Sequence, residues 1–236
     1  MTDIFIQNGF ISLVVTGITF AVVFLLKYLN QKKSITAEVS RKVVHIGAGT
    51  LYLSLYFYND NGYYSKYLNI FPNILWTCLI LWKSQSKSSR STQMDDLVIG
   101  TMTRNQRQHE LLRGPLFFNF VMILCGSIYY RTVIGSIMMA ILTWGDGLAA
   151  MIGSHYGSQR RLYGSKTWDG LLTMFVAGFI ASIFYTLLLV HVLSIVLLLK
   201  MFLIAAIAAI IETLSPSDYD NLTIPLTVFV TYHLLF

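Results

Sequence analysis

An all-α fold, a polytopic bundle of about seven or eight transmembrane helices, is predicted by three observations on this 236-residue chain. Hydrophobic residues make up 55% of it and charged residues only 12%, against a charged share of about 25% in soluble proteins. The mean hydropathy is +0.62. Apolar stretches of about 20 residues, enough to cross a hydrocarbon core as helix, recur through the chain. Together these exclude an ordinary soluble domain and intrinsic disorder, which needs low hydrophobicity and high charge. A disulfide scaffold is excluded too, because Cys78 and Cys125 each sit inside an apolar run as packing residues.

The first stretch, residues 4–26, begins by Ile4 without a basic leader and runs too long for a signal-peptide core, so it reads as a span. The second, 43–58, is short and follows a basic segment; the third, 67–82, stops ahead of Lys83. The fourth, 115–130, opens on Pro115, which suits a first helical turn. The fifth, 132–153, carries an aspartate late in its length, and 169–189 and 194–214 follow as the sixth and seventh. The last, 222–236, is again short. These spans occupy most of the chain, so residues 1–236 are expected to form a single transmembrane helical domain. No repeat or heptad run is visible, and the one biased segment is the serine-rich stretch Ser84 to Ser91 in the longest polar loop.

The formal charge of +6 reads as loop asymmetry rather than as a nucleic-acid partner. Fourteen of the 17 Lys and Arg residues follow spans one, three and five: Lys27, Lys32, Lys33, Arg41, Lys42, Lys83, Lys87, Arg90, Arg104, Arg107, Arg113, Arg160, Arg161 and Lys166. Positive charge stays inside, so these loops are expected on the cytoplasmic or equivalent face and the N-terminus outside. The alternation puts Ser215 to Asn221 on that same face, although it carries Asp218 and Asp220 and no cation.

Polar groups beside hydrocarbon are costly and commonly mark function. Six clusters qualify, all on the expected cytoplasmic side. Arg41-Lys42-Val-Val-His45 places Arg41 and His45 on one helical face, and Gly47 and Gly49 permit close approach of a backbone or a ligand. Arg113, ahead of Pro115, suits either a phosphate or an ion pair with Glu110, and the ion pair is preferred for this motif alone. Asp146 stands between Gly145 and Gly147 in an apolar helix, which packing explains poorly. Gly153-Ser-His155-Tyr-Gly157 suits a helix contact or a turn over a phosphate. Gly164-Ser165-Lys166-Thr167-Trp168-Asp169-Gly170 sets a cation and a carboxylate at a helix start, where free N–H groups attract phosphate. It is not a P-loop: six residues separate Gly157 from Gly164, Ser165 separates Gly164 from Lys166, and no strand precedes it. Glu212, with Asp218, Asp220 and Asn221 beyond it, adds the hard oxygen donors that Mg²⁺ uses beside a nucleotide. Asn221-Leu-Thr223 fits a glycosylation acceptor but falls on the wrong face, hard against a span.

His109, His191 and His233 lack metal-ligand spacing, so no zinc site is expected. Tyr63, Tyr64, Tyr67, Trp76 and Trp82 read as interface belts and lipid-facing packing. Basic clamps at Arg41, Lys42, Arg113 and Lys166 with carboxylates at Asp146, Asp169, Glu212 and Asp220 are what phosphoryl transfer needs, namely positioning and neutralised charge. The apolar interior beside them suggests a lipid acceptor.

The stretches RKVVHIGAG, ELLRGPLFF, GDGLAAMIGSHYG, GSKTWDG and DYDNLTIPL, in this order across residues 41 to 225, resemble the phytol kinase branch of the polyprenol kinase family, which also holds farnesol and dolichol kinases. ELLRGPLFF is the piece that points to the phytol branch. The resemblance implies a membrane enzyme that moves the terminal phosphate of CTP, with Mg²⁺, onto the hydroxyl of phytol or a similar long-chain isoprenoid alcohol, and a product that feeds tocopherol synthesis. Where the family has Lys-Ser-x-Glu-Gly-Ser, this chain has Lys166-Thr167-Trp168-Asp169-Gly170-Leu171, and the family's paired acids become Asp218-Tyr219-Asp220.

On this reading Lys166 and the glycines Gly153, Gly157 and Gly164 take the nucleotide phosphates, with Gly145, Gly147, Thr167, Asp169 and Gly170 around them. Arg41, Lys42 and Arg113 stabilise the transferred group; Asp146 is metal ligand or base, and Glu212 and Asp220 complete the metal shell. The alternatives are a farnesol, geranylgeraniol, dolichol or diacylglycerol kinase, a CTP-dependent lipid-phosphate cytidylyltransferase, and a transporter with Asp146 on an ion path. Transporters usually place charges near the midplane and carry repeats, unlike this chain. A bacterial, cyanobacterial or plastid membrane is expected, with the site on the cytoplasmic or stromal face.

Overall fold

The computed structural model describes residues 2–59, 64–86, 96–105, 107–157, 160–164, 166–216 and 219–236. Lys87, Arg90, most of the serine-rich stretch, Tyr63, Ser165 and Asp218 therefore lie outside the described residues. The fold is helical, and the chain divides into two compact units, Met1–Ile128 and Tyr129–Phe236.

The first unit holds α1 (Thr2–Gln31), α2 (Ala37–Thr50) continued by a 3₁₀ segment (Leu51–Phe57), the single turn α3 (Ser65–Leu68), α4 (Phe71–Gln85), α5 (Leu97–Met102), a second 3₁₀ segment (Gln108–Leu112) and α6 (Gly114–Ser127). Apolar helices gain nothing from hydrophobic burial against one another in lipid, so polar contacts join them. Asn8 of α1 donates to Asn59 O at 3.1 Å and to Ser65 Oγ at 2.8 Å, while its Oδ1 accepts Asn59 N–H at 2.9 Å. Ser12 Oγ donates to Leu68 O at 2.7 Å and meets Tyr58 OH at 2.9 Å. Trp76 Nε1 donates to Thr19 Oγ1 at 3.0 Å, and its ring stacks on Phe20. Around that contact lies a core of Val23, Ile80, Val98, Ile99, Met102 and Leu111. Gly47 of α2 faces α1, where an added Cβ would make an ordinary 3.8 Å contact with Val22 Cγ1.

The second unit opens with one long helix in three parts: α7 (Val133–Ala140), a π-helical segment (Ile141–Asp146) and α8 (Gly147–Tyr156). An antiparallel hairpin of β1 (Arg161–Tyr163) and β2 (Lys166–Thr167) follows, so that a short strand does precede Gly164, contrary to expectation; Gly164 turns it at φ +57°, a conformation that favours glycine. Then come α9 (Trp168–Leu189), α10 (Ile195–Leu214) and α11 (Asp220–Leu235). The α7–α8 helix is buried along most of its length, whereas α9 and α10 turn Leu172, Ile180, Phe184, Ile195 and Leu199 outward, as lipid-facing helices do.

Among the described residues five stretches are long and apolar enough to cross a membrane: Asp3–Gln31, Gln108–Ser127, Val133–Tyr156, Trp168–Leu189 and Ile195–Leu214. The remaining expected spans correspond to shorter helices, since α2 has 14 residues, α4 has 15 and α11 has 16. α5 was not foreseen in the polar loop; Asp96 caps it, accepting Val98 N–H at 2.9 Å and Ile99 N–H at 3.2 Å, and its apolar residues enter the core. Three packing expectations are corrected. Trp76 is a core residue, because its N–H finds Thr19, and only Tyr64, Tyr67 and Trp82 are exposed as belt residues would be. Cys125 is buried but Cys78 lies on the exposed face of α4, since an apolar run does not say which side of a helix faces lipid. Glu110 accepts the backbone N–H groups of Arg104 and Asn105 and forms no ion pair with Arg113 among the described residues.

Gly126 receives the side chain of Asn69, whose Nδ2 donates to Gly126 O at 2.8 Å, and an added Cβ would come within 2.7 Å of Ile70 Cγ2. Gly126→Ala is expected to destabilise the first unit by about 1–3 kcal/mol, the usual range for overpacking, measured as thermal unfolding in detergent beside an exposed-site control.

Candidate functional site

Short connections and pairwise packing make α8, α9, α10 and α11 alternate in direction. The end of α8, the hairpin, the start of α9, the end of α10 and the start of α11 therefore share one end of the second unit. At its centre is Thr167. It caps α9, its Oγ1 accepting Gly170 N–H at 3.1 Å, and it is wedged against α8 by three glycines. A Cβ on Gly157 would fall 2.5 Å from Thr167 Cβ, one on Gly153 would fall 3.0 Å from Thr167 Oγ1, and one on Gly170 would meet Ala149 O at 3.3 Å. These glycines, assigned from sequence to nucleotide phosphates, thus have a demanding packing task here. Gly164 differs, with open space where a Cβ would stand.

The hairpin carries Lys166 to Glu212 in the last turn of α10, where the two form an ion pair that is largely shielded from solvent. Two charges withdrawn from water are held for geometry more than for stability, because desolvation offsets most of their attraction. Asp169, in the first turn of α9, favours the helix dipole and lies 3.9 Å from exposed Arg160, a contact worth little in solvent.

Asp146 is the last residue of the π-helical segment and is 1% exposed. Gly145 beside it lies against α9: a Cβ there would meet Met174 Sδ at 2.9 Å and Met174 O at 3.2 Å. Met174 is less than two turns into α9, so Asp146 sits about 9 Å inward of the helix start rather than at the mouth with the other clusters. Gly147, next to it, is buried at the start of α8. π segments inside α-helices recur at functional sites because they re-aim side chains. Asp220 and Asn221, 4% and 3% exposed, open α11, which packs on α7 and the π segment. Asp220 Oδ1 accepts Asn221 N–H at 2.9 Å, and Ser215 meets Thr223 at 2.7 Å across the connection.

Among the described residues no three His, Cys, Asp or Glu side chains stand close enough to hold a metal ion. The expected cage of Asp146, Glu212 and Asp220 is therefore not preformed, and Glu212 is engaged by Lys166. Mg²⁺ beside a nucleotide commonly takes only one or two carboxylates and fills its shell with phosphate oxygens and water. Buried Asp146 and Asp220 fit that smaller demand.

In the first unit Arg41 and buried Lys42 lie on α2, with His45 one turn on, its ring 4.3 Å from that of Phe118 on α6. Arg113 is exposed and sits directly before α6. The pairing of Lys166 with Glu212 had no local signal in the sequence, since 46 residues separate them. Nor did the packing role of Thr167, expected beside the nucleotide phosphates and found against Gly157.

Thr167→Ala is expected to lower stability by about 1 kcal/mol through the lost cap, with Thr167→Ser restoring it. Replacing both Lys166 and Glu212 with Met should unfold at a higher temperature than either single variant, because one buried charge left alone is worse than none; thermal melts of the four proteins decide it.

Among known proteins, the chain is 31% identical to a protein of Glycine max named probable phytol kinase 1, chloroplastic, covering 93% of this chain and 75% of that one. It is 29% identical to phytol kinase 1, chloroplastic, of Arabidopsis thaliana, over 94% of this chain and 74% of that one. A Synechocystis protein named phytol kinase is 29% identical over 87% of this chain and 83% of its own length. No family model and no solved structure matches.

Proposed function

The chain belongs to the phytol kinase family, and from that membership we propose that it transfers the terminal phosphate of CTP to the hydroxyl of phytol or a similar isoprenoid alcohol, releasing CDP and the lipid monophosphate. Asp146 carries the proposal: a buried carboxylate at a π-helical break of an otherwise apolar helix, set inward from an end that bears Lys166. The alcohol oxygen attacks the terminal phosphorus, the bond to the departing diphosphate oxygen breaks, and the hydroxyl proton passes to the Asp146 carboxylate. Lys166 neutralises the nucleotide phosphates after exchanging Glu212 for them, and the seated start of α9 fixes its position. Mg²⁺, when bound through Asp146 or Asp220, would neutralise phosphate charge during transfer. Arg160, Arg161 and Lys166 at this end support a cytoplasmic or stromal orientation in a cyanobacterial or plastid membrane.

The test uses detergent-purified protein with CTP labelled in its terminal phosphate and Mg²⁺, offered phytol, farnesol, dolichol and diacylglycerol in parallel. Label in a lipid monophosphate with CDP released is expected, with phytol the best acceptor. Pyrophosphate release, or no transfer by folded protein, overturns the reading. Asp146→Asn should lower turnover by about 100-fold or more while leaving elution in detergent unchanged.

A further inference from the structure

The hairpin between α8 and α9 sets Tyr163 of β1 opposite Lys166 of β2 in its antiparallel register. Directly opposed residues send their side chains from the same face of a two-stranded ladder, with Cβ atoms about 5 Å apart. β1 also lies against α10, whose last turn carries Glu212, and from that shared face the two side chains part. Lys166 turns in to Glu212 and is largely shielded, whereas Tyr163 is 65% exposed, which leaves most of an apolar ring uncovered. Two other aromatic residues are exposed at this end, and each has its own explanation. Trp168 heads the row Trp168, Leu172, Val176, Ile180 and Phe184, spaced by four along α9 and exposed throughout, so it ends a lipid-facing stripe as an interface residue does. Tyr156 closes α8 with the His155 ring perpendicular to its own, centroids 4.5 Å apart. Tyr163 stands on a strand, outside the transmembrane helices, and continues no such row.

We propose that Tyr163 is the platform on which the cytosine ring of the nucleotide stacks. A nucleoside triphosphate carries its charge at one end and a flat π surface at the other. The Lys166–Tyr163 pair offers a cation and an aromatic face from neighbouring positions on one ladder, diverging as the two ends of that ligand do. Tyrosine suits the task because only two side-chain torsions must be fixed and its ring is amphipathic, at home in water until the base covers it. Stacking does not read the edge of a base, so this contact holds cytosine and uracil alike and leaves the choice between them to other groups. The proposal rests on the kinase reading for the ligand, in which Lys166 takes the phosphates. It adds where the base lies and which residue holds it.

The experiment is isothermal titration of the full chain in detergent, with Mg²⁺ and no alcohol, against CTP, UTP and inorganic triphosphate. Wild type is compared with Tyr163→Leu, Tyr163→Phe and, as a control on an exposed aromatic residue, Trp168→Leu. Wild type should hold CTP more tightly than inorganic triphosphate. Tyr163→Leu should weaken CTP and UTP about tenfold and inorganic triphosphate by less than about twofold, the loss being of stacking alone. Tyr163→Phe, which keeps the ring, and Trp168→Leu should bind all three as wild type does. In turnover, Tyr163→Leu should raise the KM for CTP while kcat and the KM for phytol hold. An unchanged affinity for CTP in Tyr163→Leu, an equal loss on inorganic triphosphate, or an equal loss in Tyr163→Phe overturns the proposal. Where the Leu variant does not fold, Tyr163→Thr, which suits a strand, is read in its place. Protein that binds CTP through Tyr163 yet phosphorylates no alcohol sinks the kinase reading alone, and Tyr163→Leu that transfers phosphate with an unchanged KM for CTP sinks only this proposal. Wild type that binds neither nucleotide sinks both.

Discussion

The close approach of α9 to the helix running through α7, the π segment and α8 governs the second unit, and glycine makes it possible. Gly145 faces Met174 and Gly178, Gly178 faces Ile141, and Gly153 and Gly170 face each other near the start of α9. In lipid there is no hydrophobic force to press such helices together, so van der Waals contact between backbones must do it, and each missing Cβ brings more atoms into range. Everything at that end of the unit inherits its position from this contact. Thr167 fits only because Gly157 lacks a side chain, the hairpin leaves from Thr167, and Lys166 reaches Glu212 from the hairpin.

The charges then settle where the packing permits. An ion pair shielded at a helix end stabilises little, yet it holds Lys166 in one place and leaves a cation ready to trade one anionic partner for another. Asp146 lies deeper, where a carboxylate is expensive and is tolerated for what it does. In the first unit, beside the Lys83–Asp96 ion pair, neutral groups also join the helices. Asn8, Ser12 and Thr19 tie α1 to its neighbours through hydrogen bonds that charge would not improve.

Much of the candidate site could be read from residue type and spacing. An aspartate between glycines in an apolar helix, a cation and carboxylate at a helix start, and a glutamate near the end of a span all proved to occupy one unit, with Asp146, Glu212 and Asp220 buried. What misled was the meaning of the glycines. A glycine-rich turn near a lysine suggests a phosphate cradle, but Gly153, Gly157 and Gly170 are filled by Thr167, Ala149 and one another. Apolar runs misled similarly, since they do not distinguish Trp76 and Cys125 in the core from Trp82 and Cys78 outside it.

Composition and hydropathy by themselves determined that this chain is a helical membrane protein, because the energy of exposing backbone and charge to hydrocarbon leaves few other solutions for so apolar a sequence. The ordered motifs determined its family kinship and which residues carry charge into apolar surroundings. Only the tertiary structure decided which of those charges meet: Lys166 with Glu212 across 46 residues, and Asp96 with Lys83. Local sequence specifies local backbone and the cost of burial at each position, whereas the partner that offsets that cost is set by how helices distant in the chain pack.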